Sequence, residues 1–127
     1  MPDLPYSIEL HDSRVSAIAF EGGIAIVQLR PAYIHRDGKG WSQDADIIIR
    51  ESSVGQLPEF PATIADGSLR TEQCPYHNLL YLPLAAAGPV SLELELFSGS
   101  VIKVHGNSVE VVLLGEPVFV EEVTGRI

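Results

Sequence analysis

The sequence predicts an all-β single domain over residues 1–127, built as an antiparallel sandwich or closed barrel of about nine or ten short strands. Three observations carry this. Val90, Leu92, Leu94 and Leu96 alternate with Ser91, Glu93 and Glu95, a period of two that a strand satisfies and a helix does not. Turn signals recur about every 8–12 residues, the spacing of successive short strands. Hydrophobic residues make up 46% of the chain, which supports a packed core and argues against disorder.

Read in order, Pro2 and Pro5 imply an extended, loosely held segment over residues 1–7. Val15 to Phe20 reads as a strand and Ile24 to Ile34 as a second, joined by a hairpin turn at Glu21-Gly22-Gly23, where paired glycines tolerate positive φ. Pro31 marks an edge or a bulge in the second strand, because it has no N–H for the ladder. Residues 35–46 form the longest polar stretch and read as a loop. Ala45 to Arg50 is a third strand. Residues 52–61 read as irregular, with room for one helical turn. Asp66-Gly67, between Ala62–Ala65 and Ser68–Thr71, is a hairpin signal. Residues 72–78 read as a second loop and Leu79 to Leu82 as a short strand ended by Pro83. The alanines that follow favour a helix, but Pro83 and Gly88-Pro89 leave no length for one. The final third reads as strands separated by turns at Ser98-Gly99-Ser100 and Gly106-Asn107-Ser108, with Gly115-Glu116-Pro117 before the last apolar run.

Charge narrows the function classes. The formal net charge is −9. A negative field repels phosphate backbones and anionic lipid surfaces, so neither nucleic acid nor membrane is expected as a partner. No apolar run approaches the roughly 20 residues of a helical membrane span. The N-terminus lacks the basic and apolar regions of a secretory signal. Cys74 is the only cysteine, so an intrachain disulfide is impossible, and a cytoplasmic location is the expectation.

The most site-like cluster is Tyr33, His35, Asp37, Trp41 and Asp44, with Asp46 nearby. Tyr33, His35 and Asp37 share a face if the strand continues that far. An aromatic body beside imidazole and carboxylates can stack on a ring and hydrogen-bond its hydroxyls or amines, which suits a sugar-like or amine ligand. The alternative reading has Tyr33 and Trp41 capping the end of a barrel, with His35 and Asp37 hydrated.

Other combinations carry less chemistry. His11, Asp12, His35, Asp37, Asp44, Asp46, His77 and His105 are scattered without any usual metal-ligand spacing, so no metal or other cofactor is expected. Cys74 and His77 are too close in sequence to resemble a thiol–imidazole pair brought together by a fold. Ser13 beside His11 and Asp12 does not make a triad, whose members meet in space. Gly38-Lys39-Gly40 lacks the third glycine and the following helix of a phosphate loop. Glu93 and Glu95 belong to the wet face of a strand.

Finally, Ile47-Ile48-Ile49 and Val111-Val112-Leu113-Leu114 are apolar on both faces of their strands. The second face needs cover from loops or from another subunit. The expected function is therefore a small, non-enzymatic binding module acting through a protein partner or a homo-oligomer. The alternative is a small-molecule or enzymatic site around Tyr33, His35, Asp37 and Trp41.

Overall fold

The computed structural model describes residues 6–122, and their regular elements are ten strands of one antiparallel sheet with no helix. The strands are β1 (Ser7–Glu9), β2 (Arg14–Glu21), β3 (Ile24–Arg36), β4 (Lys39–Arg50), β5 (Ser53–Val54), β6 (Ala62–Arg70), β7 (Pro75–His77), β8 (Leu79–Tyr81), β9 (Ala85–Leu96) and β10 (Val101–Glu122). Six of them close a hydrogen-bonded ring in the order β2, β6, β9, β10, β4, β3, with β3 returning to β2. Around this barrel-like closure, β1 lies between β3 and β8, β7 lies against β6, and β5 lies against β10.

Alternation builds the core. Ala25, Val27 and Leu29 of β3, Ala45, Ile47 and Ile49 of β4, Leu92 and Leu94 of β9, and Ile102 and Val104 of β10 are all fully buried. Burying each Ile, Leu or Val contributes about 1.5–3 kcal/mol. Ile48, between two buried neighbours, points the other way and is half-buried.

Inward parity changes within strands, at bulges. In β3 the buried set moves from Ala25, Val27 and Leu29 to Ala32 and Ile34, and the β3–β4 register shifts between Leu29 and Ala32. Pro31 sits at the shift. Here β3 also changes neighbours, pairing with β2 over Ile24–Leu29 and with β1 over Tyr33–His35. Side chains answer the backbone groups around the break. Arg30 Nη1 donates to the Leu29 and Ala45 carbonyls, both at 3.0 Å, and Nη2 donates to Asp46 Oδ1 at 2.9 Å. The fully buried Ser13 hydroxyl accepts from the Tyr33 N–H at 2.9 Å and donates to the Glu9 carbonyl at 2.6 Å.

Several sequence expectations are corrected. The polar stretch 35–46 is not a loop: β3 runs to Arg36, β4 starts at Lys39, and only Asp37 and Gly38 turn, both at positive φ. Asp66-Gly67 is not a hairpin but part of continuous β6, with a register shift against β9 between Ile64 and Asp66. Gly106-Asn107-Ser108 is likewise a bulge within β10, and Gly115-Glu116-Pro117 is another. The stretches 52–61 and 72–78 contain β5 and β7, and β9 already begins at Ala85. Residues 1–5 of the expected loose start lie outside the described residues, while Ser7 is buried and paired with both His35 and Tyr81. The Glu21-Gly22-Gly23 and Ser98-Gly99-Ser100 turns stand where the sequence puts them.

Two substitutions test this framework. Ser13→Ala strands a backbone donor and an acceptor in a dry site, and urea unfolding is expected to show a loss of about 1–3 kcal/mol. At Gly106 an added Cβ would collide with the Ile49 side chain and stand 2.6 Å from the Arg50 carbonyl oxygen. Because backbone cannot swing aside as a side-chain tip can, Gly106→Ala is expected to cost about 1–3 kcal/mol in the same measurement.

Candidate functional site

The sheet divides the five residues grouped from the sequence. Directly opposed residues on neighbouring strands share a face. Trp41 opposes Ile34, so it lies on the inner side and packs against the core, whereas Tyr33 and His35 project from the outer face. Asp37 occupies the β3–β4 turn at φ 54°, exposed, with its carboxylate 3.6 Å from Arg36. Asp44 is on the outer face, 4.0 Å from Arg30, whose closer partner is Asp46.

Tyr33 and His35 belong to a brace across four strands. The Tyr33 ring lies over Gly40 of β4, where any Cβ would collide with it. Its hydroxyl donates to Glu121 Oε1 on β10 at 2.6 Å. The His35 Nε2 is 2.5 Å from Glu9 Oε1 on β1, and the His35 ring meets Tyr33 edge-on at 5.2 Å. Glu9 and Glu121 are the partners that sequence reading missed, since neither is near Tyr33 along the chain and only strand register joins them. Their strands stand three spacings apart, roughly 14 Å between backbones, and the side chains reach inward from both ends. These contacts tie β1, β3, β4 and β10 together.

Trp41 anchors a second cluster on the other side. The Arg36 guanidinium lies 4.7 Å from the Tyr6 ring centroid and 5.7 Å from that of Trp41. Trp41 Nε1 donates to the Arg36 carbonyl at 3.3 Å, and Phe119 of β10 meets the indole edge-on at 5.5 Å. Next to this cluster, β10 carries three consecutive exposed apolar residues: Val118 is 63% exposed, and Phe119 and Val120 are each 49% exposed. β9 accompanies β10 only as far as Glu110, and the Val111 N–H donates to Leu84. Among the described residues, β4 is the one strand neighbour of β10 from Val112 to Val120, so the opposite edge of that stretch is open.

The remaining candidates resolve into local contacts. Cys74 Sγ donates to the Pro75 carbonyl at 3.4 Å, and His77 Nε2 faces Asp66 at 3.5 Å, so the two residues have different partners. The Tyr76 hydroxyl is pushed above the usual phenol range by burial, with Cys74 adding to the effect. A concavity of about 550 Å³ lies between the Pro58–Thr63 segment and the β9–β10 turn, with Phe97 on its wall. The His11 ring packs on Phe97 with centroids 5.8 Å apart. Among the described residues, no three His, Cys, Asp or Glu side chains converge to hold a metal ion, and no helix is long and apolar enough to cross a membrane. Comparison with known proteins finds no matching family, no matching curated protein and no matching solved structure.

His11 supplies a pH-dependent prediction. Its Nδ1–H donates to the Ala65 carbonyl at 2.7 Å, and this bond holds its pKa above the usual value near 6.5. Partial burial opposes the rise, while Asp12, Glu9 and Asp66 add to it. A raised folded-state pKa contributes stability that is complete below the unfolded value and is lost as pH rises through the folded one. NMR titration is expected to place His11 above ~6.5. His11→Gln is expected to flatten the part of the stability–pH curve that falls above that value.

Proposed function

We propose that this protein is a non-enzymatic binding module that works by protein–protein association, self-association included, along the open edge of β10 from Val112 to Val120. The observation that carries the reading is the edge itself: a stretch that, among the described residues, has a strand neighbour on one side only and has Val118, Phe119 and Val120 exposed. An open strand edge presents a row of main-chain donors and acceptors, and added strands pair with such rows. Exposed apolar side chains on both faces of that edge provide the area an added strand would cover. The −9 charge keeps such a surface soluble until it meets its partner. A cytoplasmic setting suits a chain whose one thiol, Cys74, has no disulfide partner.

Sedimentation velocity over a wide concentration range, on protein purified at low salt, tests the reading. The expected result is a self-associated species or a stoichiometric protein complex. It should disperse in the Val118→Lys, Val120→Lys double variant, while the thermal melting of the isolated chain moves little, since both residues are surface positions. A strict monomer that carries no partner and takes up no strand-forming peptide removes the proposal.

A further inference from the structure

We propose that the chain received at the β10 edge is a cationic strand of another protein, alternating apolar and basic residues, and not a second copy of this chain. This rests on the edge reading above and names its occupant. The sequence between Lys103 and Arg126 contains Glu110, Glu116, Glu121 and Glu122 and no Lys or Arg. Arg50 stands 3.5 Å from Glu110. Within Val112–Val120 the one charged residue is Glu116, which is exposed, so the open stretch carries a negative sign.

Symmetry argues in the same direction. A two-fold antiparallel pairing of two copies over Val112–Val120 is centred on Glu116. It would set that carboxylate opposite its own copy, and like charges directly opposed on paired strands are destabilising. Pro117, the next residue, offers no N–H to the joint from either copy. Each copy would also bring a net charge of −9 to the contact. An incoming strand of the opposite sign avoids both charge penalties and meets Pro117 once instead of twice. Its apolar residues can cover Val118 and Val120 on one face or Phe119 on the other, and its basic residues can reach Glu116.

The test uses the whole protein and three synthetic peptides. One is acetyl-Lys-Val-Lys-Val-Lys-Val-Lys-amide, the second has Glu in place of every Lys, and the third is the Lys peptide N-methylated at alternate residues so that it cannot pair as a strand. Trp41 is the only tryptophan and touches Phe119, so its emission reports occupancy of the edge, with calorimetry giving the affinity. The Lys peptide is expected to bind at least about tenfold more tightly than the Glu peptide and to weaken severalfold between about 50 and 500 mM salt. Glu116→Lys is expected to weaken it by about threefold or more without changing the melting of the free protein. Equal binding of the Lys and Glu peptides, binding indifferent to salt, or undiminished binding of the N-methylated peptide overturns the proposal. A concentration-dependent dimer dispersed by Val118→Lys, Val120→Lys assigns the edge to a second copy, which overturns the proposal and leaves the edge reading standing. A monomer that binds no peptide ends both.

Discussion

The fold turns on the point where β3 exchanges one neighbour for another. Up to Leu29 it belongs to the ring with β2, and from Tyr33 onward it belongs to a sheet with β1. A strand cannot do this without interrupting its ladder, and an interrupted ladder in a dry core leaves polar groups that cost more unpaired than they return when paired. Arg30 and Ser13 answer those groups from the two sides of the break, one from the strand itself and one from the turn before β2. With the break stabilised, β4 and β10 follow β3 beyond the ring. The second irregularity, between Leu114 and Val118 of β10, lies against the same few residues of β4 as the first. β4 thus runs straight between two bulged strands, and the Gln43 amide reaches across to the Gly115 carbonyl at 2.9 Å.

The extension of β3, β4 and β10 past the ring explains the placement of the polar and aromatic side chains there. On its outer face the Tyr33 ring fills the space above Gly40 and reaches β10, while His35 reaches β1. On its inner face Arg36, Trp41 and Phe119 stack where the barrel core ends. Both faces are therefore held, and rigid support on both sides lets a strand edge remain open without fraying. Tyr33, His35 and Trp41, grouped from the sequence as a ligand site, also stiffen this projecting sheet.

The all-β character was legible because burial follows period two, and the Val90–Leu96 run displays it almost without interruption. The expected nine or ten strands match the ten observed, for a partly wrong reason. Asp66-Gly67 and Gly106-Asn107-Ser108 have the composition of turns, but in both places the chain continues in the same direction with one shift of register. The trace left in the sequence is parity: Ile102 and Val104 are buried on even positions, Val109 on an odd one, and a bulge inverts parity while a hairpin returns the chain. The stretch 35–46 misled for another reason. Strands that extend past a core need few apolar residues, so Lys39 to Asp46 has the polarity of a loop with the backbone of a strand. Tyr33 and His35 were correctly placed on one face. Their partners Glu9 and Glu121 could not be found without register, which no local pattern encodes.

The ring is not equally strong all the way round. β2 is joined to β3 through most of its length, but it pairs with β6 only at Arg14–Thr63 and Val15–Ala62, with two backbone bonds between Ile64 and the preceding Asp12 and Ser13. Local opening of a closed sheet starts where the fewest ladder contacts must break. This narrow seam, directly after the buried Ser13, makes the molecule a cuff fastened by a single short clasp. Amide protons beside the clasp are set to exchange ahead of those on β4, and unzipping there would part β2 from β6 while the β3–β4–β10 extension stays assembled.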